Sequence, residues 1–256
     1  MLILLSPAKN LDFTPTDVTL CSEPEHLDDT DKLIGTLSKK SVKSVARLMS
    51  LSDKLAQLNV DRYRSYQRPF KLNDGAKQSL LAFNGDVYRD WPLHEYANDD
   101  LEYAQAHLRI LSGLYGVLRP LDLIRPYRLE MGTPLRTRRG KNLYQFWGKR
   151  ITHALNGALE AQGDNLVVNL ASNEYFSSVQ TKHLDASVAS PVFKDYKNGK
   201  YKIISFFAKR ARGMMAHYLI KNRVGSLDGL QGFNFEGYRY DPKGSTAEAP
   251  LFLRKA

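Results

Sequence analysis

The apolar pattern along the chain alternates between short continuous runs and helical spacings. Leu2 to Leu5 is a continuous run, which predicts a strand covered on both faces. Residues 12–31 hold no such pattern and read as an irregular excursion. From 31 to 50 the apolar positions Leu33, Ile34, Leu37, Val42, Val45, Leu48 and Met49 fall at helical spacing. Leu80 to Phe83 leads into a glycine turn at Asn84-Gly85-Asp86. Asp99 to Leu111 is expected to be a helix, capped by Asn98 or Asp99, with Leu101, Ala104, Leu108 and Leu111 on its apolar side. Leu143 to Leu159 repeats that spacing.

Leu166 to Leu170 has the composition of a central strand, with a helix starting near Glu174 after Ser172 or Asn173. Val188–Lys194 and Tyr201–Phe207 read as strands around Lys197-Asn198-Gly199-Lys200, since Asn-Gly between such segments is a hairpin signal. Ala208 to Gly213 leads into a helix through Met214, Met215, Tyr218, Leu219 and Ile220. Leu251 to Leu253 is expected to close the chain as an edge strand. Strands and helices alternate without an internal repeat or a low-complexity linker. The economical reading is one α/β domain, residues 1–256, carrying a helical insertion.

That insertion, residues 42–68, is a pair of short helices joined by a tight turn, with Asn59 as a candidate cap of the second. Lys40, Lys43, Arg47, Lys54, Arg62 and Arg64 lie along it. Paired short helices with a basic junction can offer backbone N–H groups and cations to phosphates. The element resembles a helix-hairpin-helix, although Gln57 and Asn59 stand where glycines are usual.

Charge sharpens this picture. Lys and Arg total 37 against 27 Asp and Glu, a net +10. The excess is not uniform: residues 12–31 contain seven acids and no Lys or Arg, whereas 39–71, 119–150 and 194–223 each contain nine Lys or Arg and at most two acids. If folding unites these blocks they form one basic surface, which favours a polyanionic partner. Cys21 is the only cysteine, which suits a reducing cytoplasm and leaves no disulfide framework. No apolar run approaches the roughly 18 residues of a membrane span, and the first ten residues read as a buried strand rather than a leader.

Candidate chemistry concentrates in cations and aromatics. Leu108 to Thr133 starts as an apolar run read as helix, then crosses Gly113, Gly116, Pro120, Pro126 and Gly132, which gives it a specified shape. Arg125, Arg128 and Lys141 lie in or just after it. Lys209, Arg210 and Arg212 are expected at a strand-to-helix junction, and Lys9 at the end of the first strand, where open sheets bind ligands. These seven are the candidate basic cleft, with Tyr127, Glu130 and Ser172 as candidate pocket residues. The chain has no Walker loop and no GxGxxG, and its six histidines are scattered singly, so no cofactor and no metal site is expected. Two functions follow: DNA binding without sequence specificity, or an enzyme acting on a small anionic or nucleotide substrate.

Ser6-Pro7-Ala8-Lys9, Ser52-Asp53-Lys54-Leu55, Asn84 to Tyr88, Leu111 to Gly116, Arg119-Pro120, Arg125 to Gly132, Asn169 to Ser172 with Glu174-Tyr175, and Lys209 to Gly213 together resemble the YaaA family of peroxide-stress proteins. The motifs span nearly the whole chain, and RPYRLEMG is the most specific of them. The resemblance implies a cytoplasmic bacterial protein of the hydrogen-peroxide response, associated with lowering free intracellular iron. It also implies a single mixed α/β domain of unusual topology, with a positively charged cleft and a helix-hairpin-helix that binds duplex and distorted DNA. It transfers no catalytic residue and no oligomeric state.

Overall fold

The computed structural model describes residues 1–255. The first strand, β1 (Leu2–Leu5), is buried on both faces, as its continuous apolar run requires. The acidic segment that follows stays irregular until α1 (Leu27–Leu37). The run expected as helix over 31–50 is interrupted at Ser38–Ser41. A second helix, α2 (Val42–Met49), starts where the Ser41 hydroxyl accepts the Ser44 N–H at 3.3 Å.

Ser50 then takes a left-handed conformation (φ 51°), and Ser52 caps α3 (Asp53–Arg64) by accepting the Leu55 N–H. Asn59 is therefore not a cap. It is buried inside α3, and its side-chain amide donates to the Leu55 carbonyl at 2.8 Å. Residues 42–64 thus form two packed helices turned at Ser50–Ser52 without a glycine.

The chain continues through β2 (Lys77–Gln78), the single turn α4 (Ser79–Ala82) and α5 (Asn98–His107) into β3 (Leu108–Ser112). The expected helix over 99–111 stops at His107, and its last four positions belong to the strand. Its cap is also different: Asp100 accepts the N–H of Ala97 at 3.2 Å. After β4 (Gly116–Leu118) and β5 (Leu123–Ile124), the expected helix over 143–159 is broken in two. The pieces α6 (Leu143–Trp147) and α7 (Arg150–Gln162) meet at Gly148, whose φ of 52° ends the first.

Next come β6 (Leu166–Asn169), the short α8 (Asn173–Phe176) and β7 (Ser187–Ala189). The Asn198-Gly199 hairpin joins β8 (Val192–Lys197) to β9 (Lys200–Lys202). The second strand of that hairpin is shorter than expected, because α9 (Ser205–Lys221) begins at Ser205 and takes Phe206 and Phe207. Lys209, Arg210 and Arg212 therefore lie within a helix rather than at its entrance. The last elements are β10 (Arg239–Tyr240) and β11 (Leu251–Arg254).

β1 is the centre of a five-stranded mixed sheet of order β4-β3-β1-β6-β7. It pairs in parallel with β3 (Ile3 opposite Leu108) and with β6 (Leu2 opposite Val167). Only β4 runs antiparallel, at the edge. A second sheet has the order β10-β11-β8-β9, so Leu251–Arg254 is an interior strand and not the edge expected of it. Helices pack around both sheets over one continuous apolar core that runs from Leu2–Leu5 to Leu219, Ile220 and Phe252. No helix among the described residues is long and apolar enough to cross a membrane.

Candidate functional site

A cavity of about 430 Å³ opens beyond the carboxyl ends of β1 and β6. The floor is set by two serines: the Ser172 N–H donates to Ser6 Oγ at 2.9 Å, and the two hydroxyls lie 3.3 Å apart. Tyr88, buried, donates its hydroxyl to the Ser6 carbonyl at 2.7 Å and so ties the Asn84–Tyr88 turn to the end of β1. That turn also meets α9. A Cβ on Gly213 would stand 1.7 Å from the Val87 carbonyl oxygen, so glycine alone permits the approach.

The third wall is the segment after β5. Its shape is fixed from below by β3 and β4. Gly113 lies so near Leu129 that an added Cβ would sit 2.2 Å from the Leu129 carbonyl oxygen. Trp147 donates its indole N–H to the Gly113 carbonyl at 3.0 Å. Tyr115 accepts the Arg125 N–H, and Ser112 and Tyr127 share a 2.7 Å hydrogen bond. Tyr115 and Tyr127 are thus buried struts, with burial raising both phenol pKa values. Tyr127, a candidate pocket residue on sequence, does not line the cavity.

Glu130 emerges from this segment into the cavity. Lys9 Nζ lies 3.3 Å from one of its oxygens, and the Arg128 guanidinium lies 3.0 Å from the other. Lys209 stands 4.0 Å from Asp86, and Glu174 accepts the Gly132 N–H at 2.8 Å. Arg212 completes the wall from α9. Of the sequence candidates, Lys9, Glu130, Ser172, Lys209 and Arg212 therefore meet in one place, with Arg128 at the rim.

Arg125, Lys141 and Arg210 do not join them. Arg125 donates to the Gln67 carbonyl at 3.0 Å and lies over the Phe70 ring. Lys141 is exposed in the loop before α6. Arg210 is held by Asp90 and Glu236, each at 2.6 Å. Asp86 and Glu174 carry no local signal of a site in the sequence. The turn and the helix start that carry them stand out in sequence, but nothing local aims two carboxylates into the same cavity.

The helical pair adjoins the rim, because the buried Tyr63 hydroxyl of α3 donates to the Arg128 carbonyl. Lys40, Lys43, Arg47, Lys54, Arg62 and Arg64 form no ion pair among the described residues, whereas most other arginines of the chain do. Lys43, Arg47, Lys54 and Arg64 are exposed. Arg62 is half-buried, donates to Asn59, and has its pKa lowered by burial.

A second cavity, of about 450 Å³, lies between α1 and the 137–146 segment. Beside it, Asp29 gathers Lys32 at 2.9 Å, Arg139 at 2.8 Å and Arg150 at 3.2 Å. Among the described residues no group of three or more His, Cys, Asp or Glu is placed to hold a metal ion.

The arrangement is that of an open α/β protein with a charged cavity beyond its strand ends and a basic helical pair beside it. The chain belongs to the peroxide stress protein YaaA family, whose model matches residues 1–244. Its role accordingly lies in peroxide stress. It is 53% identical over 257 residues to a UPF0246 protein of Shewanella sp. (strain W3-18-1), with the whole of both chains covered. A UPF0246 protein of Psychromonas ingrahamii is 54% identical over 255 residues, 99% of each chain. One of Alteromonas mediterranea is 52% identical over 255 residues, covering 99% of this chain and 98% of the relative.

Proposed function

We propose that this protein acts in the cytoplasm under peroxide stress by binding DNA through its phosphate backbone, without sequence specificity, on the face formed by α2 and α3. The observation that carries this reading is the set of unpaired cations on that face. Lys43, Arg47 and Lys54 are exposed and meet no carboxylate among the described residues, while Lys9 and Arg128 share Glu130, Lys209 faces Asp86, and Arg210 lies between Asp90 and Glu236. Exposed cations without partners keep their full charge for an external anion, and phosphate is matched by both the lysine point charge and the arginine fork. Contacts of this kind read no base edges.

Each phosphate neutralised contributes about −0.9 to the slope of log affinity against log salt. Lys43→Glu with Lys54→Glu is therefore expected to weaken duplex binding alike for unrelated sequences and to reduce that slope by roughly two. Fluorescence-anisotropy titrations across a salt series measure both. A folded double variant with the wild-type slope would move the contact off α2–α3, and binding indifferent to salt would end the backbone reading. The lowering of free iron implied by the resemblance belongs to the same proposal as a cellular outcome. It is read as chelatable iron in peroxide-treated cells carrying the wild type or the double variant.

A further inference from the structure

The cavity beyond β1 and β6 has a different chemistry from the helical pair. The chain winds from β1 to β3 on one side and reaches β6 on the other, so the cavity sits at a topological switch point, where open sheets bind small ligands. Its volume, about 430 Å³, falls within the range of small-molecule sites and is far too small for a duplex. Three cations line it, but so do the carboxylates of Asp86, Glu130 and Glu174. A groove for a polyphosphate would not carry them.

The cations are not equivalent. Lys9 faces Glu130 and Lys209 faces Asp86. The Arg212 guanidinium makes neither an ion pair nor a hydrogen bond with any described residue, and its partial burial lowers its pKa. A guanidinium partly withdrawn from water and left without a counterion adds nothing to the fold that an apolar side chain of similar length on α9 would not. Gly213, beside it, lets α9 approach Val87 and brings the guanidinium to the cavity. Lys209 lies one turn earlier on the same face of the helix. The planar fork of an arginine suits two oxygens of a phosphate or carboxylate. Asp86, 4.0 Å from Lys209, and Glu174, beside Gly132, offer acceptor oxygens that suit hydroxyl donors.

We propose that this cavity binds a small polyhydroxylated oxyanion, its phosphate or carboxylate seated on Arg212 and Lys209 and its hydroxyls donating to Asp86 and Glu174. The site is independent of the DNA-binding face on α2–α3.

Calorimetric titration of the intact protein with ribose 5-phosphate, gluconate and neutral ribose tests it. At least one of the two anions is expected to bind, at least tenfold more tightly than ribose, and whichever binds identifies the head group. Arg212→Gln is expected to lose that binding by tenfold or more while melting no lower than the wild type, and Lys54→Glu to leave it unchanged. The proposal is overturned if neither anion binds at millimolar concentration, if ribose binds equally well, or if Arg212→Gln binds like the wild type. Should Arg212→Gln fold poorly, Lys209→Met decides instead: wild-type affinity in that variant also overturns the site.

Discussion

Replacing Gly213 by alanine sets a general rule of helices against one contact of this molecule. Gly213 lies inside α9, where glycine costs about 1 kcal/mol relative to alanine. Helix propensity alone therefore makes Gly213→Ala stabilising. The surroundings reverse the sign, because the new methyl would lie 1.7 Å from the Val87 carbonyl oxygen and 3.2 Å from the Trp91 indole nitrogen. The obstruction is backbone, not the movable end of a side chain, so helix and turn must separate by more than an ångström.

Overpacking of this kind costs about 1–3 kcal/mol and at times more. Set against the helix gain of about 1 kcal/mol, we expect a net loss of about 2 kcal/mol, which for a chain of this size lowers the melting temperature by roughly 4–8 °C. Gly157 in α7 is the matched control, since a Cβ there meets nothing within 4 Å. Gly157→Ala should raise the melting temperature by about 2–4 °C. Calorimetric melts of the two variants beside the wild type measure both effects. A Gly213→Ala protein that melts at or above the wild type would refute the close approach of α9 to the Asn84–Tyr88 turn.

Tyr63→Phe removes the hydroxyl that donates to the Arg128 carbonyl and should cost about 1–2 kcal/mol in chemical denaturation; a cost near zero would mean that α3 is not anchored there. Burial pushes the Asp29 carboxyl upward, but hydrogen bonds from Arg139 and Lys32 outweigh it and hold the pKa below the usual value. A depressed carboxylate pKa gives stability that is complete above the unfolded value and lost as pH falls through the folded one. The wild type should therefore lose melting temperature below about pH 4, and Asp29→Asn should show a lower but flatter acid limb. Parallel acid limbs would remove Asp29 from the account.

What could be read from the sequence is what carries its own local signal. Leu2–Leu5 and Leu166–Val168 are continuous apolar runs, and Asn198-Gly199 is a turn with one favoured geometry. The boundary at His107 was hidden because β3 is buried throughout. Even Arg109 is covered, its guanidinium turned back to the carbonyls of Gln105, Ala106 and Leu108. Full burial erases the alternation that separates strand from helix, so the run reads as a continuation of the preceding helix. Tyr201–Phe207 failed in the opposite way, because Ile203 and Phe206 are apolar yet exposed.

In the site, charge runs located the cations but not their directions. Arg210 and Arg212 are two residues apart, and such positions on a helix do not share a face. One is engaged by Asp90 and Glu236 while the other lines the cavity. The acids opposite arrive from a turn and a helix start on separate parts of the chain, a convergence that only the tertiary fold produces.

The central place of β1 also governs the order in which this chain can fold. Its first residues must lie between strands made much later: Ile3 beside Leu108, and Leu2 beside Val167. During synthesis the apolar LILL segment emerges more than a hundred residues ahead of its nearest partner. Parallel pairing over such separations closes large loops before any ladder is gained, which makes folding slow and leaves the segment exposed meanwhile. The acidic stretch directly after it, free of Lys and Arg from 12 to 31, gives the nascent chain a net negative charge beside that segment, where like-charge repulsion opposes association between unfinished copies.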